Sequence, residues 1–263
     1  MTALWFGRPG GRIVVDMDIT NATVFIPGAT SGIGLGLAQR LQAAGSTVVI
    51  GGRRRALLDS LHDEYGFDTV ELDVTDPASI TAAAASVIET HPALDTVITM
   101  SGIMRAEDLR SSEHLTDAVA TVETNLLGTI RLIDAFLPHL LSRPASTIIT
   151  VSSGLAYTPL AATPTYSATK AAVHSYTQSL RQQLTDSSVA VLELVPPAVA
   201  TDLMGEGVDF GGMPLDDFLT EVVSLLQSGA APEILVQNVL PLRWSERDGT
   251  QQQLIEMLAA RRH

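Results

Sequence analysis

The sequence predicts an α/β protein, a parallel β-sheet covered on both faces by helices within a single domain. Two observations carry this. Short, near-continuous apolar runs alternate with stretches of helical periodicity along most of the 263 residues. Strands buried on both faces read in this way, because a parallel sheet needs a helix in each crossover. The second observation is negative: no repeat of 20–50 residues and no linker divides the chain.

The elements follow in order. Thr23–Ile26 reads as a buried strand and Gly32–Ala44 as a helix. Thr47–Ile50 is a strand and Arg54–Tyr65 a helix. Thr69–Leu72 is a strand, Pro77–Thr90 an alanine-rich helix, and Thr96–Thr99 a strand. Helical pattern continues around Glu113–Leu141. Thr147–Val151 is a strand, Thr165–Leu184 a helix and Val189–Val195 a further strand. From Met204 to Leu242 the pattern is irregular and rich in Gly and Pro, and a last helix is expected near Gly249–Arg261. Residues 1–16 show no periodicity. They are expected to be an N-terminal extension preceding a domain of residues 17–263, with Met17 a natural start just before the first strand. Residues 202–231 are expected to form the substrate-loop region. Glycines at 205, 207, 211 and 212 suggest a mobile lid.

Composition narrows function. A hydrophobic content of 46% suffices for a large core. The absence of cysteine excludes disulfides, thiol nucleophiles and Cys-ligated metals, and fits a reducing cytoplasm. A net charge of −13 argues against nucleic acid or an anionic membrane as partner. No apolar run reaches the length of about 18 residues that a bilayer requires. The six histidines have no metal-site spacing, so no metal is expected.

Gly28-Ala29-Thr30-Ser31-Gly32-Ile33-Gly34 follows the first strand and opens the first helix. In a strand–turn–helix setting, such glycines let the backbone approach a pyrophosphate at the helix N-terminus. This places a dinucleotide site on Gly28, Thr30, Ser31, Gly32, Ile33 and Gly34, and makes the sheet Rossmann-like and doubly wound. A carboxylate usually ends the second strand when the ribose 2′-hydroxyl is free. Here Gly51-Gly52 stands there, followed by Arg53-Arg54-Arg55. Arginine forks suit a phosphate, and cations at a helix N-terminus oppose the macrodipole unless an anion joins them. The expected cofactor is therefore NADP(H) rather than NAD(H), with Arg53 and Arg54 on the 2′-phosphate. Asp73 and Val74, after the third strand, face the adenine; an N-cap or turn role for Asp73 is equally open.

Lys170 is the chain's one lysine among fifteen arginines, and it lies four residues after Tyr166. On a helix these side chains share a face. An ammonium beside a phenol favours ionisation, so Tyr166 is expected to have a lowered pKa and to serve as general acid/base. No other tyrosine has a basic residue four positions on.

With these motifs in order, the chain from about Met17 to Thr201 resembles a classical short-chain dehydrogenase/reductase. Gly28, Gly32 and Gly34 match the family's glycine motif. Asn125 matches its tetrad asparagine. Ser153, thirteen residues before Tyr166, matches its serine, and Tyr166 with Lys170 its Tyr-x-x-x-Lys. The resemblance implies hydride transfer between NADP(H) and a carbonyl or alcohol. Tyr166 would exchange the proton and Ser153 would orient the substrate oxygen. Lys170 would hold the nicotinamide ribose, and Asn125 would anchor a water leading to solvent. It also implies contacts from Gly102, Val199 and Thr201, and a homodimer or homotetramer pairing through the helices around Asn125–Leu141 and Thr165–Leu184.

The chain departs from the family in three places. Pro27 stands where threonine is usual, Thr99-Met100-Ser101-Gly102 replaces Asn-Asn-Ala-Gly, and Pro196-Pro197 replaces Pro-Gly. The last change and His91-Pro92-Ala93-Leu94-Asp95 resemble a subgroup related to the reductase encoded beside D-alanine–lipoteichoic acid genes. The first two favour the alternative of a non-catalytic nucleotide-binding sensor or interaction protein. Ile103, Leu155, Tyr157, Leu160 and Leu203 are expected to line an apolar substrate pocket. Arg105 would meet an anionic group or solvent, and His174 would serve packing or an interface.

Overall fold

A computed structural model of the chain describes residues 19–205, 211–229 and 231–260. The expected N-terminal extension lies outside them, as do residues 206–210 of the expected lid. Among the described residues seven strands form one sheet: β1 (Thr23–Pro27), β2 (Thr47–Gly52), β3 (Asp68–Glu71), β4 (Thr96–Thr99), β5 (Ser146–Val151), β6 (Val189–Val195) and β7 (Glu233–Leu235). Their order is β3-β2-β1-β4-β5-β6-β7 and all neighbours are parallel. The order reverses direction between β1 and β4, the crevice where such sheets bind ligands at their carboxyl ends.

The helices are α1 (Gly32–Ala44), α2 (Arg55–Tyr65), α3 (Pro77–Thr90), α4 (His114–Val122), α5 (Gly128–Leu141), α6 (Pro164–Gln183), α7 (Leu215–Gln227), α8 (Leu240–Arg243) and α9 (Gln251–Ala260). Two apolar layers hold them to the sheet. Val24 and Ile26 of β1 pack with Leu37 and Leu41 of α1, Leu58 of α2 and Phe218 of α7. Phe25, pointing to the opposite face, packs with Ile80 of α3 and Phe136 of α5. The rings of Phe25 and Phe136 lie 5.0 Å apart. This alternation along one buried strand is what a central parallel strand requires.

The sequence missed three elements after Met204: α7, β7 and the short α8. β7 is three residues long, too short for a periodic signal. Residues of α7 at helical spacing, Phe218, Leu219, Val222 and Leu226, are buried, but Gly- and Pro-rich flanks masked that pattern. α7 thus occupies much of the expected substrate-loop region. It docks on α1 at Gly36, where an added Cβ would lie 2.3 Å from Leu219 Cδ1. The helical stretch read across Glu113–Leu141 is interrupted by a π-helical turn at Glu123–Leu127.

Candidate active site

The π turn places Asn125. A wide i→i+5 turn inside a helix redirects its side chains and often marks a functional site. Asn125 Nδ2 donates to the Ile103 carbonyl at 2.9 Å, and Asn125 Oδ1 accepts from the Ile103 N–H at 2.8 Å. Its own carbonyl accepts the Thr129 hydroxyl at 2.8 Å. Asn125 therefore braces the loop leaving β4, whose Gly102 passes beside Lys170: a Cβ there would sit 3.5 Å from Asn125 Oδ1 and 3.8 Å from Lys170 Nζ.

Ser153 follows β5, and Tyr166 and Lys170 stand on α6; all three are buried. The Ser153 hydroxyl hydrogen-bonds the Tyr166 phenol. Lys170 Nζ donates to the Val151 carbonyl at 2.8 Å and lies 5.5 Å from the centre of the Tyr166 ring. All four tetrad residues thus meet at the carboxyl ends of β4 and β5.

The pKa expectation is corrected. Burial pushes the Tyr166 phenol up to about 12, against the lowering effect of the Ser153 hydrogen bond. Burial also pulls Lys170 down to about 8. Desolvation disfavours the charged form of each group and is the largest cause at both. Tyr166 is a phenol that holds its proton.

The glycine loop has the geometry of a phosphate cradle. Gly28 has φ +85°, and an added Cβ would meet the Ser101 backbone at 2.7 Å. Gly32 has φ +54°, with the Thr201 methyl 3.4 Å from where a Cβ would lie. Both conformations favour glycine. Ser31 is the N-cap of α1 yet makes no side-chain cap bond, and no acidic residue occupies the first turn. The first-turn N–H groups, with Ile33 and Gly34 among their residues, therefore face the crevice under a positive helix end.

At the end of β2, Gly52 is glycine for a steric reason the sequence did not show. A Cβ there would lie 2.6 Å from Thr30 Cγ2. Arg54 reaches over it to donate to Thr30 Oγ1 at 3.4 Å. Arg55 instead pairs with Asp59 at 2.9 Å. Asp73 accepts from the Thr75 N–H at 2.9 Å and the Thr75 hydroxyl at 2.7 Å, so the turn role left open is present. Burial raises its pKa, but these bonds and the Arg53 charge together draw it below the ordinary value. Val74 packs closely on Gly128, where an added Cβ would lie only 3.0 Å from Val74 Cγ2.

The departures have structural consequences. Pro27 pairs with Gly51, and the next N–H, of Gly28, donates to the Gly51 carbonyl at 2.7 Å. Thr99 is buried, and its hydroxyl has no hydrogen-bond partner. After β6, Val199 bridges Met213, so the near end of the expected lid is pinned to the site.

Several candidates sit elsewhere than expected. The Tyr157 hydroxyl contacts His174 Nδ1 at 2.9 Å and its ring lies under Arg243, so it belongs to a polar cluster behind Ser153. Arg105 is solvent-exposed, as one of its two expected roles had it, and pairs with Asp117. A groove of about 380 Å³ lies between α3 and α5 and includes no tetrad or glycine-loop residue. The sequence also missed Glu107. Its buried carboxylate accepts from the Thr165 hydroxyl at 2.7 Å and the Thr165 N–H at 3.1 Å. A carboxylate at a helix N-terminus stabilises it, here the helix that carries Tyr166.

A family model described as short chain dehydrogenase matches residues 22–209. The chain belongs to the short-chain dehydrogenase family. It is 35% identical over 238 residues to a Bacillus subtilis (strain 168) protein named uncharacterized oxidoreductase DltE, covering 88% of this chain and 94% of that one. Among solved structures, a short-chain dehydrogenase from Burkholderia cenocepacia J2315 in complex with NADP superposes with TM-score 0.79. It is 26% identical, covering 92% of this chain and 99% of that one. A short-chain dehydrogenase/reductase from Burkholderia phymatum in complex with NAD shares the fold at TM-score 0.75 and 20% identity, covering 92% and 97%. The chain is thus an oxidoreductase of this family, whose structural neighbours bind nicotinamide cofactors of both kinds. Among the described residues, no helix is long and apolar enough to cross a membrane.

Proposed function

We propose that the protein is an NADP(H)-dependent carbonyl reductase or alcohol dehydrogenase acting on a small-molecule substrate in the cytoplasm. The observation that carries the reading is the meeting of Tyr166, Ser153, Lys170 and Asn125 beside the glycine loop.

The residues present would hold a nicotinamide dinucleotide, which would supply the hydride chemistry. Gly28, Thr30, Ser31, Gly32, Ile33 and Gly34 would hold its pyrophosphate with Thr201 beside them. Arg53 and Arg54 would take a 2′-phosphate. Asp73 and Val74 would serve the adenine, and Gly102 and Val199 the nicotinamide end.

Ser153 donates a hydrogen bond to the substrate carbonyl oxygen and orients it, acting where negative charge develops. Tyr166 delivers its proton to that oxygen. A phenol held near 12 keeps its proton at neutral pH, the form that protonates an alkoxide as it forms. Lys170 binds the ribose, and its positive charge stabilises the phenolate left behind. The second lone pair of the Asn125 carbonyl can take the water through which that proton is restored.

Leu203 and Leu155 give the substrate side an apolar lining. The chain assembles as a homodimer or homotetramer through α4, α5 and α6. Leu115 and Val119, one turn apart on α4, are exposed by 60% and 54%, and apolar side chains so placed suit a self-complementary interface.

The test is NADPH oxidation against a panel of ketones, diketones and aldehydes. Turnover of at least one is expected. NADPH binding with no turnover across the panel would favour the sensor reading.

A further inference from the structure

Behind Ser153, on the side of the sheet covered by α6, lies a polar cluster that the proposed mechanism does not use. Glu193 of β6 is fully buried. The Ser152 hydroxyl donates to its Oε1 at 2.5 Å. His174 Nδ1 lies 3.0 Å from Oε1 and 2.9 Å from Oε2. The Tyr157 hydroxyl donates to Oε1 at 3.3 Å. An ionised carboxylate only accepts, so His174 Nδ1 carries a hydrogen in this arrangement. The Gln178 side-chain amide, 3.0 Å from His174 Nε2, meets the other ring nitrogen.

His174, Glu193 and Glu233 bring ligand atoms within 4.8 Å of one another, a spacing that fits a cation. The cluster already contains one. Arg243 grips Glu233 through two bonds of 2.8 and 2.9 Å and stacks 4.3 Å from the Tyr157 ring centre. Arg181 also faces Glu193, Glu233 and Tyr157 electrostatically. Two arginines balance the two carboxylates, so a metal is not required.

The cluster's position points to its purpose. Ser152 is the neighbour of Ser153, and Tyr157 ends the short turn Gly154–Ala156 that Ser153 begins. His174 is one helical turn beyond Lys170. On α6, Lys170, His174, Thr177 and Arg181 are all bonded to the sheet. Lys170 reaches Val151, Thr177 bonds the Thr150 hydroxyl at 2.7 Å, and Arg181 bonds the Val191 carbonyl at 2.8 Å. Apolar packing alone tolerates sliding along such an interface, whereas directional hydrogen bonds fix a register. Reaction rates depend steeply on this kind of placement, since about 1 Å of misplacement can cost about 10²-fold.

We propose that His174 and Glu193 are positioning residues for the reaction: joined to Ser152 and Tyr157, they hold Ser153 and the following turn in register with Tyr166 on α6. This rests on the catalytic reading above, and it goes beyond the tetrad. His174 keeps its packing role but aims a catalytic hydroxyl by it.

The test compares His174→Leu, which removes the donor, with His174→Asn, whose amide nitrogen can stand near the Nδ1 position. His174→Leu should lower kcat on an accepted carbonyl about tenfold to a hundredfold, with the NADPH Kd within about twofold of wild type. His174→Asn should recover most of that loss. Hydrogen exchange is followed alongside. Amides of residues 153–157 should exchange at least about tenfold faster in His174→Leu than in wild type, and near the wild-type rate in His174→Asn. A His174→Leu variant with wild-type kcat and unchanged exchange overturns the proposal. So does one whose NADPH binding falls in step with kcat, because the pair would then only support the fold. If wild type reduces no carbonyl, the catalytic reading itself fails, and the exchange rates alone decide whether the pair holds the turn.

Discussion

Replacing Lys170 by methionine should make the protein more stable while removing its activity. Burial pulls the Lys170 pKa from 10.5 to about 8. That 2.5-unit difference corresponds to about 3 kcal/mol at about 1.36 kcal/mol per unit. The sign is set by proton counting. Between about pH 8 and 10.5 the unfolded chain binds more protons than the folded one, so stability rises with pH across that window. Below about pH 8 the full penalty applies, because folding must bury an ammonium. Methionine fills similar space without charge but loses the 2.8 Å bond to the Val151 carbonyl, a loss of about 1 kcal/mol. At pH 7 the variant should therefore gain about 2 kcal/mol, or roughly 4–8 °C in Tm for a chain of this size. Urea unfolding of both proteins at pH 7 and pH 10.5 is the assay. At the higher pH the difference should fall by about 3 kcal/mol, leaving the variant about 1 kcal/mol less stable than wild type. An equal gap at both pH values, or a less stable variant at pH 7, would show that Lys170 is not desolvated by its site.

Thr99→Val should stabilise the protein by about 1 kcal/mol, because it removes a buried hydroxyl without a partner; a lower Tm would refute this. NADPH should bind at least about tenfold tighter than NADH, because a charge-assisted arginine–phosphate bond contributes about 1.5–3 kcal/mol. Alanine at both Arg53 and Arg54 should erase most of that gap in calorimetric titration, and equal affinities in wild type would reduce the arginines to a solvated helix face. Gly52→Asp should weaken both cofactors, because its Cβ meets Thr30 Cγ2 at 2.6 Å; unchanged NADPH affinity would contradict that packing. Light scattering should give a multiple of the 27.9 kDa chain mass, and Leu115→Glu with Val119→Glu should shift it toward the monomer. Unchanged mass would place the interface elsewhere.

How far the sequence could be read depended on whether the information was local. The strands from Thr23 to Val195 announced themselves because each is buried on both faces and so continuously apolar. The meeting of Ser153, Tyr166 and Lys170 was legible because their spacing is fixed by one helix and one strand end. α7 was obscured by the glycines and prolines around it, although Phe218, Val222 and Leu226 already had helical spacing. The direction of the Tyr166 pKa shift was not legible. It depends on how completely the ring is buried, and i,i+4 spacing says nothing of that. The Glu193 cluster joins residues from β5, β6, β7, α6 and α8 that are far apart in sequence. Its one visible sign was a glutamate inside an otherwise apolar strand, Val189-Ala190-Val191-Leu192-Glu193-Leu194-Val195. A charge at such a position needs a partner, and that signal was available.

The central claim is that Tyr166 supplies the proton for an NADPH-dependent reduction. It is tested most directly by comparing Tyr166→Phe with wild type on one accepted carbonyl, following NADPH consumption and measuring NADPH affinity separately. The account predicts a fall in kcat of about 10²–10⁴-fold, the usual contribution of a general acid, with the NADPH Kd within about twofold. A variant turning over within about threefold of wild type would contradict it.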